Sequence, residues 1–257
     1  MKKKKLALIC ALAAGALGAA TSAQAVPVAL ELALLVDVSG SVSTSEYNLQ
    51  KNGYINAFND AIIQSRIASL ASLGGIAVTY IEWAGSTQQS QLVSWTQLTS
   101  AASSSAFASA ISATSRAFSG STAPGAAINY ATPLFSNNGF EGSRWVIDVS
   151  GDGTGESTTS TRRDAFLAAA TTAGAVGTIN GLAIGSPSIE TWYTNNIIGG
   201  SNPFVILAAT FEDFDRAIRD KLGREIPPSQ VPEPASLALL GLGLAGLGAL
   251  RRRARNA

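Results

Sequence analysis

Apolar residues in the middle of this chain fall into two alternating patterns. Short, nearly continuous runs, Ala29 to Val38, Ile76 to Trp83, Trp145 to Val149, Ile179 to Ile184 and Phe204 to Ala208, have the make-up of strands buried on both faces. Between them apolar positions recur at helical spacing. Ser43-Thr44-Ser45-Glu46 is a capping box that opens a helix, and Tyr47, Tyr54, Phe58 and Ile62 supply its buried stripe. Gly74-Gly75 ends that segment. Gln91 to Leu98 reads as a short edge strand beside the run before it. The Ser/Ala-rich stretch Ser100 to Ala117 reads as a helix through Phe107, Ile111 and Phe118, and Pro124 to Phe135 as another with Pro124 in its first turn. A helix from Thr161 to Ala173 and an amphipathic one from Thr210 to Leu222, stopped by Pro227-Pro228, complete the series. The alternation predicts an α/β fold: a doubly wound, mostly parallel sheet with helices on both faces and one antiparallel edge strand.

The two ends carry other patterns. Lys2 to Lys5, the apolar run Leu6 to Ala20 and Ala23-Gln24-Ala25 have the three parts of a secretory signal peptide, with cleavage expected after Ala25. Cys10, the single cysteine, lies early in that run and leaves with it, and Ile9 before it is too bulky for lipoprotein processing. The exported chain then has no thiol, which excludes disulfides. Histidine is absent altogether, which excludes Ser-His-Asp and Cys-His nucleophiles and ordinary zinc sites. At the other end Val231-Pro232-Glu233-Pro234 precedes an uncharged run, residues 235–250, and the tail Arg251-Arg252-Arg253-Ala254-Arg255. That run of 16 residues is shorter than the about 20 of a comfortable bilayer span, and the arginines are expected to stay on the cytoplasmic side. The expected organisation is a signal peptide over 1–25, one domain over 26–226, a linker over 227–232 and a C-terminal signal over 231–257.

Setting the ends aside changes the charge. Residues 26–230 keep 10 of the 18 basic residues and 16 of the 17 acidic ones, a net charge of −6 against +1 for the whole chain. An acidic domain of this kind lacks the clustered basic surface that nucleic-acid binding needs, and it suits a soluble exported domain or a cation-binding one. Its length is enough to bury one core without cross-links.

Candidate chemistry gathers where the strands end. Leu34-Leu35-Val36-Asp37-Val38-Ser39-Gly40-Ser41 is an apolar run that breaks into Asp-x-Ser-x-Ser. The three polar residues alternate onto one side of an extended chain, and a turn at Gly40 can bring their oxygens around one point, a donor set suited to a hard divalent cation. With Thr122 in Gly120-Ser121-Thr122 and Asp152 in Ser150-Gly151-Asp152-Gly153, the set resembles the metal-ion-dependent adhesion site of von Willebrand factor A domains. Tyr80 to Gly85, Val146 to Gly153 and Asn196 to Gly200 are similar to a bacterial subfamily of these domains, and the resemblance covers roughly Val28 to Glu225. It implies that Ser39, Ser41 and Thr122 ligate magnesium, or manganese or calcium, directly or nearly so. Asp37 and Asp152 would act mainly through bound water, and a partner's carboxylate would complete the shell. It implies binding and no catalysis. One position departs from the pattern: the family usually has Thr-Asp-Gly where this chain has Gly151-Asp152-Gly153.

The C-terminal layout resembles the PEP-CTERM sorting signal of Gram-negative bacteria, which implies export through the inner membrane, processing by an exosortase and delivery to the cell surface or extracellular matrix. The expected function is thus an exported metal-dependent binding or adhesion module that engages a carboxylate-bearing protein or acidic surface ligand, touching the membrane only through its sorting span. A structural matrix component with a purely structural ion is the alternative, and a metal-assisted hydrolase fits least. Asp148 and Glu82 lie in apolar strands and need partners, as support for the metal loops or as satisfied strand-end acids. Trp192-Tyr193 and Asn195-Asn196 belong to a binding rim or pack their segment onto the sheet. The Gly241-x-Gly-x-x-Gly246 spelling lies inside the sorting span and lacks a following strand, so it is no dinucleotide fingerprint.

Overall fold

The computed structural model describes residues 24–226; all but the last two residues of the expected signal peptide, and the whole of the linker, the span 235–250 and the arginine tail, lie outside the described residues. In chain order the elements are β1 (Val26–Val28), β2 (Leu30–Asp37), α1 (Thr44–Asn59), α2 (Ala61–Ser69), β3 (Ile76–Trp83), β4 (Gln89–Leu98), α3 (Ala101–Ser112) and α4 (Pro124–Ala131). They continue with β5 (Phe140–Gly142), β6 (Arg144–Gly151), α5 (Thr159–Thr172), β7 (Val176–Ile184), α6 (Pro187–Asn196), β8 (Gly199–Gly200), β9 (Val205–Ala208) and α7 (Phe214–Glu225). Among the described residues no helix is long and apolar enough to cross a membrane.

The main sheet runs β4-β3-β2-β6-β7, and β8 and β9 share the outer edge of β7. Pairing is parallel except at β4, the expected antiparallel edge, and at the two-residue β8, which the sequence did not announce. A small parallel pairing of β1 with β5 was likewise not expected.

β2 is buried at all eight positions because it lies between β3 and β6 and has helices over both faces. Leu32, Leu34 and Val36 meet Tyr54 and Phe58 of α1, Phe107 of α3 and Phe214 of α7 in one apolar cluster. Ala33 and Leu35 face the other way, with Ile128 of α4, Phe166 of α5 and Tyr193 of α6. The period-two alternation of a strand thus feeds two cores.

The first helical stretch differs from its expected form. Asp60 ends α1 and caps α2, its carboxylate accepting from the Ile62 and Ile63 amides. The break rotates the helical face, so that Ile63 and Ile67 turn inward and Ile62 stands 65% exposed instead of joining the buried stripe. α3 stops at Ser112, and residues 113–117 run irregularly. The helix begun by Pro124 becomes a 3-10 turn over Thr132–Phe135, where Pro133 lacks the amide that would continue it.

Candidate metal-binding site

β2 is the strand from which the chain first goes to one neighbour, β3, and later to the other, β6. The crevice beyond the carboxyl ends of β2 and β6 is therefore the switch point of the sheet, the usual ligand position in an open α/β fold. Asp37 ends β2, and Asp152 follows directly on Gly151 at the end of β6. Ser39 and Ser41 lie on the turn after β2, just before the Ser43 capping box of α1, which forms as expected. Thr122 sits in the loop that enters α4.

All five side chains converge. The Ser39 and Ser41 hydroxyls are 3.1 Å apart, Ser41 Oγ donates to Asp152 Oδ1 at 2.8 Å, and Thr122 Oγ1 lies 3.3 Å from Ser39 Oγ. The Ser39 amide donates to Asp37 Oδ1 at 2.7 Å. Asp37 and Ser39 form a buried floor, Thr122 and Asp152 are half-buried walls, and Ser41 is exposed at the mouth. Asp37 Oδ2 is buried without a hydrogen-bond partner. Burial pushes the Asp37 carboxyl up to about 7, against its hydrogen bonds from Ser39, and burial also raises Asp152, against its bond from Ser41. A buried carboxylate with one empty oxygen needs a proton or a cation. Two carboxylates and three hydroxyls are the hard, oxygen-only donors that magnesium, manganese or calcium takes. The residues fit a divalent ion. Among the described residues no three His, Cys, Asp or Glu side chains form a metal cluster, because most donors here are hydroxyls.

Gly151, the departure from the usual threonine, has a steric cause. A Cβ there would stand 2.7 Å from Asp37 Oδ2 and 2.8 Å from the Tyr193 hydroxyl. The buried Tyr193 of α6 takes the space a side chain would fill, which joins the Ser186 to Asn202 segment to the site floor from below. Gly151→Thr is expected to lower stability by about 1–3 kcal/mol, the range for overpacking, and to displace the Asp37 carboxylate. Thermal melts with and without magnesium check both effects.

Arg116, which sequence reasoning did not single out, clamps the loops together. One guanidinium nitrogen reaches the carbonyls of Val38, Ser39 and Val42 at 2.9, 2.8 and 2.7 Å, and Nε donates to the Phe118 carbonyl. The guanidinium also lies over the Tyr47 ring. Glu82 works on the same loop: it accepts from the Ala117 amide at 2.8 Å and from Tyr47 Oη at 3.0 Å. Gly40 N donates to the Gly120 carbonyl at 2.7 Å. Glu82 therefore braces the Thr122 loop. Asp148 does not reach these loops; it points to the α7 side, where Lys221 Nζ lies 2.8 Å away. The sequence signal for Arg116 was a lone basic residue near the end of a Ser/Ala-rich stretch that reads as a helix, too little to mark a clamp.

Residues 27–230 match the family described as "Protein of unknown function (DUF1194)". The chain belongs to this family. Residues 230–253 match the PEP-CTERM protein-sorting motif, which implies exosortase processing and indicates export to the envelope of Gram-negative bacteria. No curated protein is similar enough in sequence to count as a relative. Among solved structures this DUF1194 domain is similar to proximal thread matrix protein 1 from the mussel byssus, with a TM-score of 0.54 at 16% identity over 78% of this chain and 47% of that one. The same mussel protein with a zinc-occupied MIDAS motif aligns with a TM-score of 0.53 at 16% identity, over 78% of this chain and 46% of that one. The pilus adhesin SpaC from Lactobacillus rhamnosus GG aligns with a TM-score of 0.51 at 14% identity, over 79% of this chain and 31% of that one. The chain spans about half the length of the mussel protein. At these identities the likeness is one of fold, that of a von Willebrand factor A domain.

Proposed function

We infer that this DUF1194 domain is an exported, metal-dependent binding module that holds a carboxylate-bearing partner at the envelope or in the extracellular matrix. The observation that carries the reading is the convergence of Ser39, Ser41, Thr122 and Asp152 over Asp37, whose buried Oδ2 has no donor. Magnesium is the expected ion, with manganese or calcium as substitutes. When bound, it supplies a positive charge that neutral hydroxyls leave incompletely quenched, and so attracts an outside anion. The acidic surface of the domain turns away non-specific anions, which leaves access to a fitted partner. That the fold neighbours include a thread matrix protein and a pilus adhesin agrees with adhesion or matrix work.

Two features favour binding over the alternatives. The loops are already braced without an ion, by Arg116, by Glu82 and by the Gly40–Gly120 hydrogen bond, so an ion is not needed merely to stiffen them. The donor set is rich in neutral hydroxyls and the chain has no histidine, which provides no general base of the usual kind for hydrolysis.

Thr122→Ala tests the reading. Its hydroxyl makes one long contact, so the loss of stability should stay within about 0.5 kcal/mol. Chelator-sensitive capture of a partner from envelope extract should fall at least about tenfold, a loss of about 1.4 kcal/mol. Undiminished chelator-sensitive capture by this variant would rule out an ion held in part by Thr122 as the contact, and a structural ion would then be the better account.

A further inference from the structure

The site has two open flanks of opposite character. On the Asp152 side a cavity of about 410 Å3 is lined by Glu46 and Glu212 together with Ile184, Ile189 and Phe211. On the Thr122 side a groove of about 490 Å3 is lined by Ser86, Gln89, Asn129, Glu156 and Arg162, with Ala123, Ala126 and the Tyr130 ring as its apolar lining. A carboxylate-bearing ligand is repelled by the acids of the first flank and drawn toward the cation of the second. Arg162 stands at the surface and donates to Asn129 Oδ1 at 3.0 Å, and Asn129 Nδ2 is a further donor. Tyr130 Oη accepts from the Gln91 amide at 3.3 Å and retains its own proton to donate. Glu156 Oε1 caps α4 by accepting from the Ala126 amide at 2.9 Å, whereas its Oε2 is buried with no partner.

This inventory selects a class of ligand. Cavities of this size usually bind through mostly apolar walls, whereas here polar surface predominates and includes amide, hydroxyl, guanidinium and carboxylate groups. Glu156 contributes an acceptor to the lining, while Arg162 and Asn129 contribute donors. The side chains of an acidic peptide bring acceptors only, and its donors are confined to the backbone. Sugar hydroxyls bring both functions on one atom, and a sugar acid adds the anion. We propose that the groove takes a uronate residue of an acidic polysaccharide, its carboxylate at the Thr122 end and its ring hydroxyls on Glu156, Asn129 and Arg162. The inference rests on the metal-dependent binding reading above and names the partner's chemistry.

The test uses the exported chain purified whole, titrated in magnesium with an oligogalacturonate, with a neutral galactose oligomer of equal length, and with a poly-glutamate peptide. Magnesium alone is titrated in parallel. The oligogalacturonate is expected to bind, the neutral sugar and the peptide at least about tenfold more weakly. Arg162→Ala and Asn129→Ala should each weaken the uronate about tenfold or more, the loss of a hydrogen bond to a charged group, with magnesium titration unchanged. Magnesium binding without uronate binding overturns the groove assignment and leaves the metal reading standing. The groove assignment also falls if both variants bind the uronate as wild type, or if the peptide binds as tightly and shares the Arg162 dependence, which would make the partner a protein. Uronate binding that survives chelator and Asp37→Ala overturns the carboxylate-at-the-ion part, and absence of magnesium binding in the wild type removes the underlying reading itself.

Discussion

Lys221→Met should cost about 3–5 kcal/mol of stability, the range for stripping one partner from a buried ion pair. Lys221 is buried under α7 with its ammonium 2.8 Å from Asp148 Oδ2 and 2.6 Å from Glu225 Oε1. Asn180 Nδ2 donates to the same Glu225 oxygen at 2.9 Å, and Glu225 Oε2 and Asp148 Oδ1 have no hydrogen-bond partner. One cation thus serves two buried carboxylates, and methionine fills its volume without its charge. Burial holds the Glu225 carboxyl up at about 8 despite the neighbouring ammonium, and the charge of Asp148 adds to the rise. A group whose proton is held more tightly in the folded state stabilises the fold fully below its unfolded value, here 4.5, and loses that contribution as the pH rises through about 8. Removing Lys221 takes away the main influence opposing the rise, so the variant's deficit should be larger at pH 8.5 than at pH 5. Denaturant unfolding at the two pH values measures this. Adding Asp148→Asn and Glu225→Gln to Lys221→Met should recover at least half of the loss, and a single variant within about 1 kcal/mol of wild type would show that the triad is not what holds α7 to the sheet.

The second large effect is functional. Asp37→Asn should abolish divalent-ion binding while raising the melting temperature of the metal-free protein. The gain follows from the site's own cost: Asp37 is fully buried and its Oδ2 lacks a donor, so the carboxylate destabilises the metal-free fold. An amide keeps the acceptor for the Ser39 amide at Oδ1 and removes the charge. In the wild type, magnesium at about 100 times its dissociation constant should add about 2.7 kcal/mol of stability by mass action, and the variant should show none of it. Paired melts with magnesium and with chelator give both numbers. A wild-type melt indifferent to magnesium, manganese and calcium would leave the acidic floor of this crevice without a cation to explain it.

Local features were legible because their causes are local. The β2 run announced a central strand by being apolar at nearly every position, and its end at Asp37 announced the Asp-x-Ser-x-Ser turn. The Ser43–Glu46 capping box needs only four consecutive residues to form, and it forms. Thr122 and Asp152 were read from motif and order, and the fold brings them to Ser39 and Ser41 because Asp152 follows β6 at the switch point and Thr122 lies in the loop that enters α4. Ile62 was misplaced for an equally local reason. Apolar spacing alone runs through Asp60, whereas the Asp60 carboxylate caps a second helix there through the Ile62 and Ile63 amides.

What the chain alone determined is the alternation of strands and helices, the switch-point carboxylate with its two serines, and the charge balance of the exported part. Only the tertiary structure decided which charges are satisfied and by whom. Arg116 lies more than seventy residues from the Val38, Ser39 and Val42 carbonyls it clamps, and Lys221 stands on a helix whose amphipathic pattern reads as a surface helix, yet meets Asp148 in the interior. Gly151 looks like a lapse from a motif until the Asp37 carboxylate and the Tyr193 hydroxyl are found in the space of its missing side chain. Sequence spacing reports the period of an element, and so the face a residue shares with its neighbours. Whether a buried polar group has a partner depends on distances between elements brought together by packing, and those exist only in the folded chain.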